Sequence, residues 1–177
     1  MSQDVLDKTI RQCTLFRGVS PAQREEIVGL MDRQSYQPGE ILIKEGESVQ
    51  AISVILKGRC QVVKAKQGTA GEHELSILEA CGVFGEMSFF HPAPHSATVR
   101  ALTEVDVAFL SRDKFDMLLR VGSVAAYKLA YNTVAVLADR LRKMDKWTCQ
   151  LIESTNGAAH RQEWHDFQAK LYTGWKF

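Results

Sequence analysis

The sequence predicts a mainly β fold with helices, a compact β-sandwich or roll closed by a long C-terminal helix. Two observations predict it. Six or more short, β-branched segments between Tyr36 and Leu110 are separated by Gly and Pro turn signals. Apolar residues return at helical spacing before and after them. The bulk numbers agree with one soluble core: 177 residues, 45% hydrophobic and 24% charged. Lys+Arg 22 against Asp+Glu 21 leaves no global field to draw in nucleic acid or an anionic membrane.

The elements follow in order. The first thirty-odd residues are expected to be helical, with Ser20 as cap, Pro21 in the first turn and Gln23 completing a capping box. Ile27, Leu30 and Met31 give that segment an apolar face. From Tyr36 the period changes. Pro38-Gly39 and Gly46 punctuate a short strand at Ile41–Ile43, and Ile52, Val54 and Leu56 then alternate onto one face before a turn at Lys57-Gly58. "GTAGEHELSIL" reads as loop and strand, and "TVRAL" and "EVDVAFL" as two more strands.

Past them the chain is helical. Ser111 caps a short helix, "DKFDMLLR", that breaks near Gly122, and Ser123 caps a longer one. Along it Tyr127, Ala130, Val134, Leu137, Leu141, Met144, Thr148 and Leu151 alternate spacings of three and four, the seam of a coiled-coil homodimer. This divides the chain into 1–122, the roll with its flanking helices, and 123–177, the long helix and an aromatic tail. In that tail Trp164, Phe167, Leu171 and Trp175 lie near one helical face, suited to docking on the protein itself or on a protein partner. A membrane-surface helix is disfavoured, because His, Glu and Asp interrupt the basic face.

No apolar run approaches the ~20 residues of a membrane span, and the N-terminus lacks the order of a secretory signal. The expected location is cytoplasmic. Cys13, Cys60, Cys81 and Cys149 form no C-x-x-C pair, so they read as reduced, structural thiols rather than metal ligands or a disulfide framework. His73, His91, His160 and His165 show no ligand spacing, and no metal is expected. Glu86 and His95 could form an acid/base pair. No nucleophile constellation, metal spacing or P-loop accompanies them, so no enzyme is predicted.

Three segments in order, "LFRGVSPAQREEI", "QPGEILIKEGESVQAISVILKGRCQV" and "FGEMSFFHPAPHSATV", resemble the cyclic nucleotide-binding domain family. This is the β-roll of cyclic-nucleotide-gated channels, kinase regulatory subunits and catabolite-activator-type transcription factors. The resemblance runs from Thr14 to about Trp147. It implies a jelly-roll-type β-roll with N-terminal helices and a long C-terminal helix. It also implies cAMP or cGMP as ligand. The third segment resembles the family's phosphate-binding cassette, and the resemblance assigns ligand contact to Phe84, Gly85, Glu86, Met87, Ser88, His95, Ser96 and Ala97.

The chemistry of those residue types suits the role. Gly85 lets backbone approach a ligand closely. Glu86 to Ser88 would open a short helix with N–H groups free for an anion. By the resemblance, Glu86 stands where the family's glutamate accepts from the ribose 2′-hydroxyl, and Ser96 and Ala97 are the small residues beside the phosphate.

Three departures qualify the resemblance. His95, directly after Pro94, stands where the family has its phosphate-binding arginine. Arginine brings a permanent charge and a planar fork; histidine brings one donor and little charge at pH 7. "LADRLRKMDKW" resembles the dimer helix of the transcription factors, with Met144 and Asp145 where a hydroxyl pair touches adenine; Asp145 could accept from the exocyclic amine. After Trp147 the chain is too short for the family's winged helix-turn-helix of roughly seventy residues, so DNA binding is not expected. The expected function is a dimeric sensor of a cyclic nucleotide or related anion, relaying binding through its C-terminal helices. The alternative is a degenerate dimeric module that binds protein partners without nucleotide.

Overall fold

The computed structural model describes residues 3–154 apart from 67 and 69. The chain opens with helix α1 (Gln3–Gln12), a 3₁₀ turn (Thr14–Phe16) and helix α2 (Pro21–Val28). The Ser20 hydroxyl accepts from Gln23 N and the Gln23 side chain accepts from Ser20 N, so the capping box forms in both directions.

Eight strands follow, interrupted by one short helix: β1 (Asp32–Tyr36), β2 (Ile41–Ile43), β3 (Ala51–Lys57), β4 (Cys60–Ala65), β5 (Glu72–Leu78), β6 (Val83–Phe84), helix α3 (Glu86–Phe90), β7 (Thr98–Ala101) and β8 (Val105–Ser111). They form two four-stranded sheets, in the orders β1-β8-β3-β6 and β2-β7-β4-β5, with antiparallel pairing throughout. Two helices close the described chain, α4 (Arg112–Arg120) and α5 (Val124–Ser154). Their caps are the ones the sequence indicates: Ser111 Oγ accepts from Lys114 N, and Ser123 Oγ from Ala126 N.

Strand alternation divides the core. Ile52, Val54 and Leu56 of β3, with Ala108 and Leu110 of β8, turn to one face and pack on Ile10, Leu15, Phe16 and Ile27 and on Phe89, Phe115, Leu118 and Leu129. Ile55 of β3 and Val105 and Val107 of β8 turn to the other face. There they meet Cys60, Phe84, Val99 and Ala101 between the sheets. One central strand pair thus serves two cores, which is why β3 is buried on both faces.

β1 departs from the sequence expectation, which places this region in the helical entry. "DRQSY" is polar and largely exposed, so no alternation marks it. It is a strand because β8 supplies a full antiparallel partner, from Asp32↔Phe109 to Tyr36↔Val105. Leu30 and Met31 lie beyond the end of α2 and pack against the helix-side core from there.

The chain divides into two compact units, Met1–Val136 and Leu137–Phe177. The first turns of α5 belong to the first unit, where Ala125, Ala126 and Leu129 are part of the core. Asn132, also buried, donates from its amide to Leu15 O at 2.9 Å and to Arg17 O at 2.8 Å. These two bonds tie the N-terminal segment to α5. Trp164, Phe167, Leu171, Trp175, His160 and His165 lie outside the described residues.

Candidate functional site

The site begins where β6 ends. Phe84 is fixed between the sheets, opposite Ser53 in register. Gly85 then turns the chain in a left-handed conformation, φ 80°, and caps α3. A Cβ at this position would sit 2.4 Å from Ala51 O, so glycine is required by the close approach of β3 as well as by the dihedral. Behind it Glu86 is 1% exposed and Ser88 is also buried, whereas Met87 faces solvent. Phe89 anchors the short helix: its ring meets Phe90 and Phe115 edge-on at 4.9 and 5.1 Å between centroids. The Arg112 guanidinium holds the helix end, donating to Phe89 O at 2.8 Å while pairing with Asp116.

The loop from His91 to Ala97 is stapled to the turn after β2. His95 N donates to Glu47 O at 2.8 Å, and Gly46 N to His95 O at 2.9 Å. One step on, the Thr98 hydroxyl accepts from Glu45 N at 3.0 Å. The Glu45 carboxylate in turn accepts from Ala65 N of β4. Sequence reasoning picks out Gly46 as a turn and misses that residues 45–47 carry the cassette. That glycine is the one trace of the role in the sequence.

His95 is 5% exposed, and its ring turns inward, with Nδ1 3.0 Å from Ser88 Oγ. Nε2 is buried with no hydrogen-bond partner among the described residues. Burial pushes the imidazole below its usual pKa range, opposed in part by the nearby Glu47 carboxylate. At neutral pH the ring is therefore neutral. The contact with Ser88 occupies Nδ1 in either tautomer and leaves Nε2 a polar atom held out of water, at a cost of about 1–3 kcal/mol while it lacks a partner.

The cassette thus gathers Phe84, Gly85, Glu86, Ser88 and His95 into buried or half-buried positions, with Ala97 half-buried and Met87 and Ser96 exposed. Arg100, just past it on β7, forms a bidentate pair with Glu72 of β5, both bonds 2.9 Å. The guanidinium holds that carboxyl below its ordinary range, chiefly through these hydrogen bonds.

The expected seam lies on α5. Tyr127 and Val134 are exposed, at 59% and 63%, as are Leu141 and Met144; Leu137 is half-buried. Ala130 instead packs against the helix-side core of its own roll, and Tyr131 is exposed. Asp145 lies in the second unit, half-buried. Among the described residues no His/Cys/Asp/Glu group could hold a metal, and no helix is long and apolar enough to cross a membrane.

The two-sheet roll, with β6 feeding a glycine-led short helix and a pinned loop, defines the fold class as a β-roll. The sequence profile of the cyclic nucleotide-binding domain matches residues 33–121, and the chain belongs to that family. It is similar to the CRP-like cAMP-activated global transcriptional regulator of Mycobacterium tuberculosis. The two are 24% identical over 147 residues, 83% of this chain and 63% of the relative. This chain therefore spans about three-fifths of that protein's length. Among solved structures it resembles the Thermus thermophilus catabolite activator protein, with TM-score 0.69 and 27% identity over 78% of this chain and 62% of that one. A cyclic nucleotide-binding domain from Methylobacillus flagellatus shares the fold, with TM-score 0.75 and 22% identity over 88% of this chain and 85% of that one.

Proposed function

We propose that the protein is a regulatory sensor that binds a cyclic nucleotide, cAMP or cGMP, in its variant cassette and relays binding through its C-terminal helices. The observation that carries this reading is His95 Nε2, a buried polar atom with no partner among the described residues. With the proton on Nε2, a phosphate oxygen is the partner it lacks, and binding would remove the cost of leaving that bond unmade. Glu86 takes the ribose hydroxyl, and Ser96 and Ala97 flank the phosphate, by likeness to the family.

Neutral histidine in place of arginine makes the affinity modest. A charge-assisted bond contributes about 1.5–3 kcal/mol, so its absence weakens binding roughly ten- to a hundredfold or more. An anionic ligand stabilises the imidazolium, so binding strengthens as pH falls. The exposed seam residues Tyr127, Val134, Leu141 and Met144 support a homodimer through α5 as the relay. In it Asp145 accepts from the base and residues 123–177 form the output segment, with the tail offered to a protein partner.

Titration calorimetry with cAMP, cGMP and cyclic dinucleotides at pH 6 and pH 8 tests the reading. Heat is expected with at least one cyclic mononucleotide, larger affinity at pH 6, and ten- to a hundredfold tighter binding by His95→Arg, about 1.4 kcal/mol per tenfold. No heat from any of these ligands rejects it. Binding gained only in His95→Arg would instead favour the degenerate, partner-binding module.

A further inference from the structure

Two cysteines far apart in sequence meet beside the cassette's first strand. Cys13 Sγ donates to Thr9 O at 3.2 Å, and Cys81 Sγ donates to the same oxygen at 3.3 Å. The two thiols also interact with each other, and burial, with Cys81 second, pushes the Cys13 thiol up from its usual range. Cys13 sits between α1 and the 3₁₀ turn, in the helix-side core. Cys81 occupies the turn before β6, with its N–H donating to Ile55 O.

Its backbone is the second observation. Cys81 has φ 69°, and among the described residues it is the one non-glycine in the left-handed region. That conformation is unfavourable for a residue with a Cβ, and an Asn or Gly is the ordinary occupant. A strained position that nonetheless carries a thiol, sharing one acceptor with a second thiol, is a reason to look for chemistry there.

We propose that Cys13 and Cys81 are a reversible thiol–disulfide pair, oxidised by hydrogen peroxide to tether the N-terminal helical segment to the turn that feeds the cassette. Half-buried Cys81 is the thiol that meets the oxidant, since Cys13 is buried. Its sulfur attacks peroxide, the O–O bond breaks, and Cys81 sulfenic acid and one water result. Cys13 sulfur then attacks the sulfenyl sulfur. The S–S bond forms, the S–O bond breaks, and the hydroxyl leaves with the Cys13 proton as a second water. Two thiols have lost two electrons and two protons, and one peroxide has become two waters. A thiol reductant reverses the step.

The proposal is independent of nucleotide binding and is read without any nucleotide. The 177-residue chain is treated with hydrogen peroxide, digested without reduction and mapped by mass spectrometry. A Cys13–Cys81 linked peptide is expected, within a single chain on a non-reducing gel, and lost with dithiothreitol. Closing so long a loop should raise the melting temperature of the oxidised protein by about 5 °C or more. Cys13→Ser and Cys81→Ser should each abolish the linked peptide and the shift, and Cys149→Ser should abolish neither. The proposal is overturned if both thiols remain alkylatable, if Cys81 stops at sulfenic or sulfinic acid with Cys13 free, or if the disulfide found involves Cys149.

Discussion

Replacing Gly85 by alanine separates two effects that usually travel together, backbone strain and steric contact. At φ 80° an L-residue sits in the left-handed region, which costs roughly 1–2 kcal/mol, offset by about 0.4–1 kcal/mol because alanine restricts the unfolded chain. The added Cβ would also stand 2.4 Å from Ala51 O, far inside the 3.4 Å where ordinary contact begins. Ala51 cannot yield freely, since its strand is paired with Ser111 of β8. Overpacking of this kind costs about 1–3 kcal/mol. Gly85→Ala should therefore lose roughly 2–4 kcal/mol. Gly39 provides the control: φ is 89°, and a Cβ added there would meet nothing within 4 Å. Gly39→Ala carries the strain alone and should lose no more than about 1.5 kcal/mol. Urea unfolding followed by fluorescence measures both. Equal losses in the two variants would show that the approach of Ala51 to the cassette is not felt, and the steric account of Gly85 would fail.

Other substitutions probe the core, the histidine and the long helix. Phe89→Ala removes the ring that locks α3 against Phe115, and should cost about 3–5 kcal/mol in the same unfolding assay. A loss below about 1 kcal/mol would show that α3 is held by its backbone alone. His95 has a folded pKa below its unfolded value of about 6.5, so the unfolded chain takes up the proton first as pH falls. Its stabilisation is full above about pH 6.5 and is lost as pH drops through the lower, folded value. The ligand-free protein should thus lose stability as pH falls below about 6.5, and His95→Gln should flatten that slope. An unchanged slope would assign it to other groups. Val134→Glu, a charge on an exposed seam position, should leave the roll folded by circular dichroism and convert the proposed α5 dimer to monomer in sedimentation velocity. A wild-type protein that sediments as a monomer would remove the seam.

Much of the fold is legible in the sequence because local signals and tertiary outcome agree. Ser20, Ser111 and Ser123 cap the helices they precede, and the alternation of Ile52, Val54 and Leu56 points at the helix-side core as expected. β1 is not legible, because its strand character comes from β8 rather than from its own polar residues. The two-residue β6 is too short to carry any period. In the site, the close approach at Gly85 can be read directly, since a glycine where backbone meets backbone leaves a residue-type signature. The inward turn of His95 onto Ser88 cannot. It depends on the 45–47 turn that pins its backbone, and no spacing within the cassette records that turn. The meeting of Cys13 with Cys81 is hidden for the same reason, since in sequence both read as isolated thiols.

The position of β8 sets an order of events during synthesis. Phe109 faces Asp32 of β1 on one side and Ser53 of β3 on the other, so one late strand joins two early ones. Until residues 105–111 have left the ribosome, neither β1 nor most of β3 has its neighbour, and the pairings that remain span long stretches of chain. Such non-local closure is slow. The apolar face of Ile52, Val54 and Leu56 waits longer still, because Phe115, Leu118 and Leu129, which help cover it, emerge after Ser111, and an uncovered face of this kind exposes the nascent chain to aggregation.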